Sequence, residues 1–316
     1  MLTFIRAGVL SLVVDKGRQG FQNIGVTQGG PMDQSSCLWA NWLVGNQTIL
    51  ASVEILASDV VFTTSQPCTI ALTGGVSVLK INQHTMNVRQ SHRLRAGDKV
   101  CIAENRFGLR SYLAIAGGFN VQQVFGSCTT VTRDGLGGLD GKGTKLADGD
   151  QLPFSNHSLA SVNRTIPKEV SEKTSTHLSL RVIKGYQIDD FSAVQLQQLF
   201  SRTFTVSAQS SRMAVRLEGD AIIAPSRSLY SEGITRGAVQ IPPQGLPIIM
   251  LNDRQTVGGY PKIGSILSLD CDALAQSAAG VTVSFEPIDI QDAHNILSLH
   301  HARLKRWFEE GKEHNG

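Results

Sequence analysis

Residues Ala238–Ser265 read AVQIPPQGLPIIMLNDRQTVGGYPKIGS. The two apolar runs, Ala238–Ile241 and Ile248–Leu251, are too short for helices and are parted by a Pro- and Gly-rich stretch, which is how short strands and their turns are written. After the second run the character changes. Asn252–Ser265 packs an acid, cations, amides, a phenol, a glycine pair and a proline between apolar segments. So much polarity at that point marks either an elaborate turn or a site.

The strand texture extends outward in both directions. Gly8–Val14, Val60–Thr64, Thr69–Leu72, Lys99–Ala103, Tyr112–Ala116, Leu180–Ile183 and Val281–Phe285 are further β-branched or apolar runs punctuated by Gly, Asn and Asp, several alternating with the two-residue period of a half-buried strand. The spacing predicts a mainly β protein of barrels or sandwiches and not a doubly wound sheet. Three helices interrupt it. The first is expected over Gln34–Val44, capped by Asp33 and closed by Gly45 in a left-handed turn. A second is expected after an Asp189-Asp190 cap, carrying Val194, Leu196, Leu199 and Phe200, and a third from Ile290 to about Glu310.

The polar stretch Asn156–His177 reads as a linker or a long surface loop. The expected organisation is a β domain over residues 1–155, a linker over 156–177, a second β domain over 178–287 and a helical tail over 288–316.

The chain has 316 residues, 41% of them hydrophobic, which is enough for sizeable cores. With 29 Lys+Arg against 26 Asp+Glu the net charge is +3, and the cations are scattered, so composition gives no case for a nucleic-acid or membrane partner. Five cysteines, odd in number and without a C-x-x-C pair, disfavour a disulfide framework or a zinc site and fit a reducing cytoplasm. The N-terminal apolar run after Arg6 stops at Val14 with no small-residue cleavage site following, and reads as structure rather than a signal peptide.

Two chemical motifs are false leads. Gly138–Lys145, GLDGKGTK, resembles a phosphate loop with its last two residues transposed and no helix expected behind it, so a turn is the better reading. His300 and His301 are adjacent on an expected helix and point apart, and no histidine cluster suggests a metal site.

Four polar, Gly-marked segments remain: Asp15–Asp33, Val206–Gly219, Ser231–Pro243 and Asn252–Ser265. Together with SYLAIAGGFNVQQVFGSCTT at Ser111–Thr130, they resemble the allophanate hydrolase subunit 2 family, most closely the branch that supplies the C component of bacterial 5-oxoprolinase, also described as biotin-dependent carboxyltransferase-like or KipA-like. The resemblance runs from Ile5 to about Phe285. It implies two cyclophilin-like β-barrel domains related by a pseudo-two-fold, with a few peripheral helices and a C-terminal helix. It also implies one component of a three-part enzyme that opens 5-oxo-L-proline to L-glutamate with ATP and Mg²⁺. A KipI-like component would act in lactam activation and share the nucleotide, and a LamB/YcsF-like component would complete ring opening. A lactam carbonyl is resonance-stabilised against water, and phosphorylating its oxygen makes it a better electrophile, which is why ATP enters.

Such chemistry needs cations against anionic groups, a group that moves a proton or binds metal, and backbone that a ligand can approach. On that basis Asp253, Lys262 and Arg212 are the candidate catalytic residues, Asp253 as base or Mg²⁺ ligand and Lys262 as an anion holder. The candidate substrate-binding residues are Arg18, Gln209, Arg254, Gln255, Thr256, Gly258, Gly259 and Tyr260. The competing reading pairs Asp253 with Arg254, makes Gly258-Gly259 a turn, and lets Arg212, Arg216 and Glu218 form ion pairs on a sheet face. The family leaves two functional alternatives: a carboxyltransferase component of a urea- or amide-carboxylating system, with biotin arriving on another polypeptide, or a non-catalytic antagonist of a KipI-type kinase inhibitor.

Overall fold

Leu2–Arg6 (β1) and Leu10–Val14 (β2) begin the chain, and their buried faces, Leu2 and Phe4 in β1 and Leu12 to Val14 in β2, are the first contribution to a core. The structure is a computed structural model that describes residues 1–76, 78–103, 107–155, 163–167, 169–170, 175–223 and 230–313. The chain divides into two compact units, one of Met1–Gln19, Gly29–Glu172 and Lys305–Gly316, the other of Gly20–Gln28 and Lys173–Leu304.

In the first unit the helix α1 (Gln34–Leu43) follows, then β3 (Ser52–Leu56), β4 (Val60–Thr64), β5 (Cys68–Val76), β6 (Leu79–Ile81), β7 (His84–Met86), β8 (Ser91–Leu94), β9 (Lys99–Ile102), β10 (Phe107–Ile115) and β11 (Gln151–Leu152). They form a six-stranded sheet, β11-β1-β4-β9-β6-β7, and a five-stranded sheet, β2-β3-β10-β5-β8, with antiparallel pairing in both. Alternating residues such as Val53, Ile55, Phe62, Ile70, Leu72 and Leu113 fill one apolar cluster. Asp33 caps α1 as expected, accepting from the Ser36 N–H at 2.9 Å, and Gly45 takes φ +87° just beyond it.

The second unit contains β12 (His177–Lys184), α2 (Ala193–Ser201), β13 (Thr203–Val206), β14 (Ala214–Glu218), β15 (Glu232–Gly233), β16 (Ala238–Gln240), β17 (Ile248–Met250), β18 (Val257–Gly258), β19 (Lys262–Ile266), α3 (Ser268–Ala275), β20 (Thr282–Ile288) and α4 (Ile290–Glu313). Seven strands close into a barrel in the order β12-β19-β16-β17-β14-β13-β20, sealed by the parallel pair β12–β20, while β15 and β18 make a separate two-stranded ribbon. The mainly β expectation therefore holds, with a C-terminal helix as anticipated. The two halves differ in detail, since the first is built from two sheets and the second from one closed ring.

Among the described residues the expectation of three helices is corrected to four α-helices. α3 escapes a sequence reading because it carries no amphipathic signal: Asp270, Cys271, Asp272, Leu274 and Ala275 are all buried, so polar and apolar residues do not sort to opposite faces. The second helix is capped by Ser192, not by Asp189-Asp190, which lie in a preceding 3-10 turn; Ser192 and Gln195 form a reciprocal capping box. Much of the expected linker over 156–177 lies outside the described residues. Of its described part, Ile166 is buried, Gln90 and Thr165 form a β-bridge, and the Arg164 guanidinium lies 4.9 Å from the Trp42 ring. Gly138–Lys145 is a tight loop with Gly138, Gly141 and Gly143 at positive φ and no helix behind it, as the turn reading requires.

Candidate functional site

The polar stretch after β17 is a loop at one end of the barrel, and it is stitched to the loop between β13 and β14. The Leu251 N–H donates to Met213 O at 2.9 Å and the Asp253 N–H to Arg212 O at 3.0 Å. This backbone pairing brings two side chains together that are 41 residues apart: Arg212 Nε and Nη2 donate to Asp253 Oδ2 and Oδ1 at 2.8 and 3.0 Å. The pair is bidentate and buried, with side chains 9% and 11% exposed. Asp253 is thus joined to Arg212, not to its neighbour Arg254. Arg216 and Glu218 lie exposed on β14, and among the described residues neither makes an ion pair, so the expected ladder of charges on that strand does not form. Gln209 is exposed, its N–H donating to Ser207 Oγ at 3.2 Å.

Arg254 turns inward. Its Nε donates to Ile234 O at 2.9 Å, Nη1 to Leu251 O at 3.1 Å and Nη2 to Gln28 Oε1 at 3.1 Å, so its buried charge is met by carbonyl dipoles and by no carboxylate among the described residues. Burial, helped by the charge of Arg236, brings its pKa down to about 10. Arg236 anchors the loop from behind, donating to Asn252 Oδ1 at 3.0 Å and to Asp272 Oδ1 of α3 at 2.7 Å.

A second cluster surrounds Lys262 at the start of β19. Its Nζ sits 2.5 Å from Glu232 Oε1 and 3.2 Å from Gly233 O on β15. Gln187 bridges the two residues, donating to Glu232 Oε1 at 2.6 Å and accepting the Lys262 N–H at 2.8 Å, while the exposed Tyr186 hydroxyl donates to Glu232 Oε2. Desolvation pushes the Glu232 carboxyl up, but the hydrogen bonds from Lys262 and Tyr186 and the Lys262 charge outweigh it and hold the pKa below the ordinary carboxylate range. Gly258 pairs with Glu232 across the ribbon, the Thr256 carbonyl accepts from the Ile234 N–H at 2.9 Å, and Gly259 and Tyr260 are exposed.

Arg18 belongs to a network of its own in the first unit. It is fully buried and donates to Val124 O at 3.1 Å and Thr129 O at 2.8 Å. Beside it Asp15 accepts from Ser127 Oγ, Thr129 Oγ1, and the N–H groups of Gly17 and Cys128. Desolvation pushes this carboxyl up, yet those four donors together hold its pKa below the usual value.

The geometry adds Glu232, Gln187, Tyr186 and Gln240 to the residues that sequence reasoning names. Glu232 and Gln240 sit inside Ser231–Pro243, a segment already marked by its glycines, but no local pattern tells which of its polar side chains turn inward. Among the described residues no group of three or more His, Cys, Asp or Glu is placed to hold a metal ion. With both oxygens given to Arg212, Asp253 is poorly suited to ligate Mg²⁺.

Known proteins give these features a context. The carboxyltransferase domain family, subdomain A and B, matches residues 24–287. The C component of 5-oxoprolinase from Escherichia coli (strain K12) is 33% identical over 294 residues, covering 93% of this chain and 93% of that protein. The crystal structure of TTHA0988 superposes with a TM-score of 0.80 at 29% identity, covering 90% of this chain and 55% of that one. The crystal structure of Kluyveromyces lactis urea carboxylase gives a TM-score of 0.87 at 25% identity over 97% of this chain, which spans only 29% of that much longer protein. The chain belongs to the carboxyltransferase domain family of subdomain A and B, in the group that contains the C component of 5-oxoprolinase.

Proposed function

We propose that the protein is the C component of an ATP-dependent 5-oxoprolinase that converts 5-oxo-L-proline, ATP and water to L-glutamate, ADP and phosphate. The observation that carries the reading is the 33% identity to the Escherichia coli C component over nearly the full length of both chains. The barrel end supplies the residue types. Lys262, held against Glu232, is a positioned cation that can hold or hand on a proton at Nζ; Arg212 and Asp253 fix the loop that carries Arg254, Gln255 and Thr256; and Gly258 and Gly259 allow close approach of a ligand to backbone. ATP and Mg²⁺ are assigned to a KipI-like partner, because the carboxylate that sequence reasoning offers to the metal is already engaged. Ring opening is completed with a LamB/YcsF-like partner. Five unpaired cysteines fit a cytoplasmic setting, and among the described residues no helix is long and apolar enough to cross a membrane.

The test is reconstitution. The chain is co-expressed with its KipI-like and LamB/YcsF-like partners, and glutamate and ADP formed from 5-oxoproline are measured with each component omitted. Omission of this chain should abolish glutamate formation; equal turnover without it would remove the proposed role. The likeness to urea carboxylase supports a second reading, transfer of a carboxyl group from carboxybiotin to an amide, and the same mixture supplied with urea and carboxybiotin tests it.

A further inference from the structure

Lys262 is committed to Glu232, whereas two amide side chains near Gly258 are not committed to any partner among the described residues. Gln240, on β16, is 1% exposed, and its Nε2 finds no hydrogen-bond partner among the described residues. Burying an amide donor unpaired is costly, so such a group calls for an explanation. The strand is shaped at this position: the β16–β19 register shifts between Val239 and Gln240 and sets Gln240 directly across from Lys262. Irregularities of this kind re-aim side chains and collect near active sites. A second amide faces the same place. The point where a Cβ on Gly258 would stand is 2.6 Å from Ile234 Cδ1, 3.4 Å from Gln240 Nε2 and 3.6 Å from Gln255 Nε2, so both amides border a space that the tip of the Ile234 side chain fills and would have to leave for a ligand, and the Gln255 side chain makes no hydrogen bond among the described residues.

We propose that Gln240 and Gln255 are specificity residues that read the cis-amide edge of a lactam, an inference that rests on the 5-oxoproline reading above. A five-membered ring forces its amide cis, so the N–H and C=O point the same way. A primary carboxamide presents a C=O and a syn N–H at matching spacing, and the two edges close a pair of hydrogen bonds. Gln240 supplies that pair, and Gln255 Nε2 donates to the same lactam oxygen in the ground-state complex, a bond given up when that lone pair goes to phosphorus. Ring opening abolishes the matched edge, which favours release of the open-chain product.

The experiment uses the reconstituted complex with 5-oxo-L-proline and with the lactone in which ring N–H is replaced by oxygen. The wild type should prefer the lactam at least about 10-fold in kcat/KM, because a site built to pair with an N–H leaves its acceptor unsatisfied by the analogue. Gln240→Leu should raise KM for the lactam about 10- to 100-fold, change kcat less, and bring the lactam-to-lactone ratio towards one. Its thermal midpoint should not fall, since an apolar group replaces an unpaired donor, and this separates a binding role from a structural one. Gln255→Ala, at a half-buried loop position, provides an independent variant with the same expected direction. A Gln240→Leu complex with wild-type KM and ratio overturns the proposal, as does a loss of binding that follows a lowered thermal midpoint in both variants. A wild-type complex that leaves 5-oxoproline untouched sinks the functional reading instead. Calorimetric titration of that complex with 5-oxoproline then judges the amide pair separately: binding lost in Gln240→Leu upholds it, and unchanged or absent binding overturns it.

Discussion

Asp253→Asn keeps the shape of a side chain and removes its charge at a point where the structure gives that charge a definite partner. Both carboxylate oxygens accept from Arg212, at 2.8 and 3.0 Å, in a pair about one-tenth exposed. Asparagine can answer one of those N–H groups with its carbonyl, but its amide nitrogen meets the other donor to donor, and the guanidinium stays buried without its counter-charge. Breaking a pair this buried costs about 3–5 kcal/mol. The surviving hydrogen bond returns about 1 kcal/mol. The expected loss is therefore about 2–4 kcal/mol, and a fall in activity in this variant alone would say nothing about acid–base chemistry. The double variant Arg212→Met/Asp253→Leu removes both charges and should cost much less than the sum of the single replacements, because no charge is stranded. Tryptophan fluorescence is the wrong probe, since Trp39, Trp42 and Trp307 all lie in the first unit. Native-state hydrogen exchange at Val215 and Ile249, opposed in the β14–β17 ladder, reads the barrel directly, with Val53 in the first unit as internal control. A loss under about 0.5 kcal/mol in Asp253→Asn, the range of ordinary surface substitutions, would refute the claim that this pair holds the loop.

Two further outcomes follow from the first unit. The Asp15 carboxyl has a folded pKa below its unfolded value, so its contribution to stability is present above about pH 4 and is lost as pH falls through the folded value. Asp15→Asn should cost about 2–3 kcal/mol at pH 7 and flatten the acid limb of a denaturation series, and an unchanged acid limb would count against the network. Phe308 of α4 stacks on Trp42 at 5.4 Å and meets Trp39 edge-on at 5.0 Å, so Phe308→Ala should cost about 2–3 kcal/mol and shift tryptophan emission, both readable in a single fluorescence melt. An unaltered emission spectrum would show that the helix end is not anchored there.

The strands are the legible part of this sequence, and the reason is local. Val60–Thr64 alternates buried and half-exposed residues along its whole length, and the pattern gives the boundaries found. The Asp33 cap is equally readable, because capping needs only a carboxylate three residues before a free N–H. α3 is not, since a helix buried on most sides erases its own periodicity. The site divides the same way. Asn252–Ser265 announces itself by composition, but its charges find partners that no local reading supplies, because Asp253–Arg212, Lys262–Glu232 and Arg254–Gln28 span 41, 30 and 226 residues and follow from strand register and chain path, not from proximity in sequence. Gln240 is invisible for a different reason: a glutamine at the end of a three-residue apolar strand reads as the strand's polar edge, and only the register shift against β19 sets it across from Lys262.

The pairing of these charges bears on how labour is divided in the proposed complex. A carboxylate and a guanidinium that hold each other present little net field to a third group, and the same holds for Lys262 against Glu232. Neither pair can neutralise a triphosphate without first being broken. Arg254 is the exception: among the described residues its hydrogen bonds go to the carbonyls of Ile234 and Leu251 and the Gln28 amide oxygen and to no carboxylate, so its positive field persists at short range inside a poorly screened environment. One such charge suits a single carboxylate, the charge that 5-oxoproline carries, and falls well short of what phosphoryl transfer demands. On the proposed reading, the barrel end would select and hold the lactam by amide pairing and one cation, and the cations and metal that activate it would come from the polypeptide that brings the nucleotide.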